Sequence, residues 1–146
     1  MVIMILGCGG RIGSALTLEL LSKNHKLILV DKAISPKLKK ILSSYDNKNF
    51  YLFKTDLSKE KNVKNLINNS LKIFNKIDAA VNCLYPESKS WGKYSITQIK
   101  KQHLDLSFSK HLSDLVIIIK NITKVFVKQR YGNLILLSSI QGVSAP

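Results

Sequence analysis

The chain opens on an unbroken apolar run, Val2-Ile3-Met4-Ile5-Leu6, which passes straight into Gly7-Cys8-Gly9-Gly10-Arg11-Ile12-Gly13. A helical pattern begins at once, with Ile12, Leu16 and Leu20 expected on one face of a helix that runs to about Ser22. Strand, glycine turn and helix N-terminus in that order bring backbone N–H groups and the positive end of a helix to one point. Such a point suits a pyrophosphate, and glycines are needed there because a Cβ would strike the ligand or force a forbidden φ. A glycine turn that joins strand to helix with no ligand is the competing reading, so the surrounding sequence has to decide.

The next segment favours the ligand. Leu27-Ile28-Leu29-Val30 reads as a second buried strand ending in Asp31, 18 residues after Gly13. An acid at that place accepts hydrogen bonds from a ribose 2′-hydroxyl and repels a 2′-phosphate, which predicts NAD over NADP. Lys32 and Arg11 supply positive charge nearby and weaken that preference.

Further along, Ser35 with Pro36 in the first turn starts a short helix to about Ser44, and Phe50 to Lys54 reads as a third strand. Thr55-Asp56-Leu57-Ser58 comes next, with Ser58 as the expected N-cap of a helix carrying Val63, Leu66, Ile67, Leu71 and Phe74. Ile77 to Cys83 is a fourth strand, succeeded by an irregular stretch with Pro86, Trp91 and Gly92. Helices are expected over about Ile96 to Phe108 and His111 to Lys128, then a fifth strand, Leu134 to Leu137, ending in Ser138-Ser139.

Apolar strands alternating with helices predict an α/β fold: a doubly wound parallel sheet of Rossmann type, order 3-2-1-4-5, covered on both faces. Gly7 to Gly13, Asp31, Asp56, Asn82 and Ser139 then converge on the carboxyl edge of the sheet, where open α/β folds bind ligands.

At 146 residues, the chain reads as one domain over 1–146, large enough for a core and small for a complete dinucleotide enzyme. The formal net charge of +14 invites a nucleic-acid reading. The lysines, however, are scattered over helix faces with only short clusters such as Lys37, Lys39, Lys40 and Lys59, Lys61, Lys64, so solvated surfaces are expected and no nucleic-acid partner. No apolar run approaches the roughly 20 residues of a membrane span, and the start lacks a basic leader, so a cytoplasmic protein is expected. Cys8 and Cys83 are expected to be free thiols, and no metal site is expected.

Over nearly its whole length, the chain resembles the short-chain dehydrogenase/reductase family. The glycine turn looks like the family's Thr-Gly-x-x-x-Gly-x-Gly, with Leu6 for the threonine and Arg11 at the middle glycine, while Gly7, Gly10 and Gly13 fit the Gly-x-x-Gly-x-x-Gly of the extended branch equally well. Asp56-Leu57 resembles the adenine-contacting pair, and Asn82-Cys83-Leu84-Tyr85 stands where the classical branch has Asn-Asn-Ala-Gly. Gly132-Asn133-Leu134 leading to Ser138-Ser139-Ile140-Gln141-Gly142 resembles the strand that ends in the catalytic serine, which implies that role for Ser139 and favours the classical branch.

Ala80 to Pro86, Trp91-Gly92-Lys93, Tyr131-Gly132-Asn133 and Ser144-Ala145-Pro146 are similar to the flagellin modification protein A group, associated with nonulosonic-acid sugars for surface glycans. The resemblance implies an NAD-linked oxidoreductase acting on a small, sugar-derived substrate, nucleotide-linked or phosphorylated, and a homo-oligomer at full length. It also implies cofactor contacts from Gly7, Gly10, Arg11, Ile12, Gly13, Asp31, Asp56, Leu57 and Asn82.

The family's Tyr-x-x-x-Lys lies beyond the serine strand, and the chain stops at Pro146, seven residues after Ser139, without it. Tyr85 to Lys89 has the spacing but precedes that strand. A truncated chain, inactive alone, is therefore expected, with a non-catalytic dinucleotide-binding or regulatory module as the alternative. His111 falls at the position of the family's relay asparagine, with a packed or surface histidine as the other reading.

Overall fold

The computed structural model describes residues 1–85, 94–95 and 97–139. The expected features at Pro86, Lys89, Trp91, Gly92, Lys93, Ile96 and Ile140 to Pro146 lie outside the described residues.

Five strands form one parallel sheet in the order β3-β2-β1-β4-β5: β1 Val2–Leu6, β2 Lys26–Asp31, β3 Phe50–Lys54, β4 Ala79–Asn82 and β5 Asn133–Leu136. The expected sheet order is thus observed. The helices are α1 Arg11–Ser22, α2 Pro36–Leu42, α3 Glu60–Phe74, α4 Lys101–Phe108 and α5 Asp114–Gln129. Every residue of the central strand β1 is buried, because side chains leave a strand alternately and both faces here are covered. Val2, Met4 and Leu6 join Ile28, Val30 and the inner faces of α3 and α5. Ile3 and Ile5 join Leu27, Leu29 and residues of α1 and α2 on the other side.

Four local expectations need correction. The inner face of α1 is Gly13, Ser14, Thr17 and Leu21, whereas Ile12 is exposed and Leu16 and Leu20 are only half-buried. Small residues let that helix lie close to the sheet, so its packing stripe is not its most apolar one. Ser58 does not cap α3: the Asp56 carboxylate accepts the Ser58 N–H at 3.0 Å, which folds 56–58 into a side-chain turn and delays the helix to Glu60. The two helices expected before β5 are continuous through a π-helical turn, Ser109–Ser113, and α4 begins at Lys101. Finally, β5 is not covered as a two-sided strand should be, since Asn133, Ile135 and Leu136 are exposed.

At the amino edge, Asp78 ties three strands together. Its carboxylate accepts the Val2 N–H at 2.6 Å and pairs with Lys76 at 3.1 Å. Its N–H donates to the Val2 carbonyl and its carbonyl accepts from Asn133 N–H. Burial acts to raise this carboxyl, but the Val2 N–H and Lys76 outweigh it and hold it below the ordinary carboxylate value. A group with a depressed folded pKa contributes stability above its unfolded pKa and loses that contribution as pH falls through the folded one. Replacing Asp78 by Ala should therefore cost about 1.5–3 kcal/mol in urea unfolding at pH 7. The difference from wild type should shrink below about pH 4, the unperturbed carboxylate range. A pH-independent difference would contradict this account.

Candidate functional site

Because all five strands are parallel, the segments that leave their carboxyl ends collect on one edge. Gly7 comes after β1, Asp31 closes β2, Asp56 comes after β3, Asn82 closes β4 and Ser139 lies just past β5. The residues singled out from the sequence are therefore brought to a common edge.

The turn after β1 is built from backbone contacts. Gly7 adopts φ +81°, and a Cβ there would lie 2.9 Å from the carbonyl carbon and oxygen of Cys83. Its N–H and that of Cys8 both donate to the Val30 carbonyl, at 2.8 and 3.1 Å. Gly10 N–H donates to the Gly7 carbonyl at 3.2 Å. A Cβ on Gly13 would overlap the Gly7 carbonyl oxygen and approach Cys8 Cα to 2.8 Å, so helix and turn touch only because this residue is glycine.

α1 then starts with no side-chain cap. Among the described residues, none accepts from the N–H groups of Arg11, Ile12 or Gly13. These are the orphan donors of a helix start, and they add to its positive dipole end. Arg11 and Gly10 are exposed. A Cβ on Gly10 would meet nothing nearer than the Gly7 oxygen at 3.4 Å, leaving open space over the turn. Unpaired donors, an uncapped helix start and open space fit the pyrophosphate of a dinucleotide.

Asp31 is half-buried one strand away. Oδ2 accepts Gly9 N–H at 2.8 Å and Oδ1 accepts Ala33 N–H at 3.2 Å. The bonds from Ser58, helped by Lys32 and Lys59, hold the Asp56 carboxyl below its ordinary value. Leu57 is buried in the core, so its side chain offers nothing to the edge, and its place serves to orient Asp56. Asn82 is buried, with Oδ1 accepting Leu84 N–H at 3.4 Å where the chain leaves β4. Ser139 is exposed.

At this end, Asp114 was not anticipated, and neither was a contact between Tyr85 and His111. Asp114, at the start of α5, has its carboxyl raised by burial and by Asp56, against the opposing effect of Lys110. Tyr85 packs edge-on against His111, ring centroids 5.4 Å apart, so the exit of β4 meets the π-helical turn. No local pattern marks Asp114, because its role depends on how α5 is placed against the β3 exit. His111 is half-buried there.

Cys8 and Cys83 are free, as expected. The Cys8 side chain points away from the edge into the α1 side of the core, where burial, with Asp31 adding, pushes its thiol up to about 12. It is a packing residue, neutral at any physiological pH. Among the described residues, no group of three His, Cys, Asp or Glu comes together as a metal site, and no helix is long and apolar enough to cross a membrane. A shallow groove of about 700 Å³ between α3 and α5 is lined by Lys64, Asn68, Lys124 and Lys128 among others. It contains none of the edge residues, and its lysines are exposed on helix faces, as read from the sequence.

A parallel 3-2-1-4-5 sheet with a glycine turn after its first strand and an acid ending its second defines a Rossmann-type protein. The description of the short chain dehydrogenase family matches residues 1–146, and the chain belongs to that family. It is 33% identical over 147 residues to the post-translational flagellin modification protein A of Campylobacter coli, covering 99% of this chain and 57% of that protein. Solved structures share the fold. ElxO with NADP bound aligns at a TM-score of 0.82 and 21% identity, covering 99% of this chain and 58% of that one. NAD+-bound xylitol dehydrogenase aligns at 0.81 and 21%, covering 99% and 55%. The chain spans 57% of the length of the curated relatives it matches.

Proposed function

We propose that residues 1–146 form a single dinucleotide-binding domain of an oxidoreductase that takes NAD(H) in preference to NADP(H). The observation that carries this reading is the turn itself: N–H groups with no acceptor among the described residues at an uncapped helix start, shaped by Gly7 and Gly13, where no Cβ fits. Gly7, Gly10 and Gly13 shape the cradle, Arg11 and Ile12 N–H groups face the phosphates, and Asp31 receives the adenosine ribose. Asp56 and the Leu57 backbone border the adenine, the Leu57 side chain being turned into the core, and Asn82 borders the nicotinamide side. Two solved structures of the same fold, ElxO with NADP and xylitol dehydrogenase with NAD+, support a nicotinamide dinucleotide.

When bound, that cofactor supplies or accepts a hydride. The chain's own part is to orient it and, at Ser139, to hold a substrate hydroxyl or carbonyl oxygen by hydrogen bonding. The substrate we propose is small and sugar-derived, nucleotide-linked or phosphorylated, by the likeness to flagellin modification protein A. The proton-passing Tyr-x-x-x-Lys of the family does not occur after Ser139 within this sequence, so we expect the 146-residue chain to bind without turning over. We further propose a cytoplasmic, homo-oligomeric protein at full length, with no nucleic-acid partner.

The preference is tested by titrating the chain with both reduced cofactors. NADH should bind about tenfold more tightly than NADPH, because a 2′-phosphate would face the Asp31 carboxylate. Equal or tighter NADPH binding contradicts the assignment, in which case Lys32 and Arg11 dominate that corner. The non-catalytic alternative predicts the same binding, and is separated from the oxidoreductase by assaying turnover once the downstream region is present.

A further inference from the structure

Asp31 already has a task before any ribose arrives. Oδ2 holds Gly9 N–H at 2.8 Å and Oδ1 holds Ala33 N–H at 3.2 Å, so one side chain bridges the turn after β1 and the turn after β2. A Cβ on Gly9 would sit 2.9 Å from the same Oδ2, which shows how closely carboxylate and turn are fitted. The remaining bonds of the turn, Gly7 and Cys8 to Val30 and Gly10 to Gly7, fix its start and close it on itself. Gly9, at its apex, is held by Asp31. A carboxylate offers about four acceptor positions, so two bonds to N–H groups leave two for a vicinal diol.

We propose that Asp31 is a positioning residue for the phosphate cradle as well as the ribose acceptor: its bond to Gly9 fixes the turn that aims the Gly10 to Gly13 backbone at a phosphate. The inference rests on the dinucleotide reading above and adds a consequence that reading lacks. Removing the Asp31 side chain weakens binding of ligands that carry no ribose at all. It also means that Asp31→Ala narrows the gap between NADH and NADPH by losing the first, without gaining the second.

The test uses Asp31→Ala and Asp31→Asn, both of which remove the negative charge, while only Asn retains an acceptor for Gly9 N–H. In the free chain, the Gly9 amide should exchange with deuterium about tenfold faster in the Ala variant and near the wild-type rate in the Asn variant. Inorganic pyrophosphate, which has no ribose, should bind at least about fivefold more weakly to the Ala variant than to the Asn variant, a cost on the scale of one hydrogen bond. Equal pyrophosphate affinities for the two variants, with wild-type binding intact, overturn the positioning role even if exchange differs. Should Asp31→Ala not fold, the wild-type Gly9 amide is compared with that of Arg11, which has no acceptor among the described residues: at least tenfold slower exchange at Gly9 supports the bond, and equal rates overturn it. A folded wild-type chain that binds neither pyrophosphate nor NAD(H) sinks the dinucleotide reading itself, and the cradle role falls with it.

Discussion

Gly13→Val should remove the proposed NAD(H) binding and cost the chain several kcal/mol of stability. The reason is geometric. A Cβ at Gly13 overlaps the Gly7 carbonyl oxygen and sits 2.8 Å from Cys8 Cα, and both are backbone atoms that cannot rotate away. Overpacking against movable side chains already costs about 1–3 kcal/mol, so backbone against backbone should reach the upper end or beyond. Relief requires α1 to back away from the turn, which carries the Arg11, Ile12 and Gly13 N–H groups with it. Binding should fall by about a hundredfold or more, as charge-assisted bonds to phosphate are lost together.

Gly10→Ala is the paired control. Its Cβ has room at 3.4 Å and its φ of −73° suits any residue, so the free fold should change by no more than about 1 kcal/mol. NADH binding should nonetheless drop about tenfold, because the open space over Gly10 is what the phosphate would use. Cys8→Ser should keep binding while losing stability, since it buries a hydroxyl in an apolar core. A Gly13→Val chain that folds and binds NADH with wild-type affinity means the cradle has been misplaced.

The second large effect concerns association. Ile135, Leu136 and Leu137 on and after β5 are exposed, and the outer side of β5 pairs with no other described strand. Phe108, Leu112 and Val116, spaced four apart along the helical segment, are each at least half exposed. Open strand edges and contiguous apolar surface both favour chain-to-chain contact. The 146-residue chain should therefore sediment as dimers or larger species at micromolar concentration and show no dehydrogenase activity with sugar alcohols. Extending it with the downstream region of its Campylobacter coli relative should reduce non-specific association and restore turnover. A monodisperse monomer of the unextended chain that reduces NAD with a sugar alcohol would refute both halves of this expectation.

Much of the architecture was legible because the signals were local and redundant. Continuous apolar runs at Val2, Leu27 and Ala79 mark strands buried on both faces, and the residue that ends each run lands on the carboxyl edge whatever the detailed packing. The misread features depend on neighbours distant in sequence. The inner face of α1 could not be found from apolar spacing, because close approach to the turn selects Gly13, Ser14 and Thr17 and leaves Ile12 outside. Ser109 and Lys110 look like a break between helices, yet a π-helical turn absorbs the extra residue and keeps the helix continuous. At the site, the place of Asp31 at the end of β2 was legible, while its bond to Gly9 spans 22 residues and has no local signature.

The central claim, that this edge is a dinucleotide site, is tested most directly by tracking backbone amide resonances of the folded chain during titration with NAD+. Saturable shifts should be largest at Gly9, Gly10, Arg11, Ile12 and Gly13, with smaller ones at Asp31, Asp56 and Asn82, and the residues of the α3 and α5 groove such as Asn68 and Lys124 should stay still. Shifts confined to that groove, or no saturable shift at the glycine turn, would contradict the account.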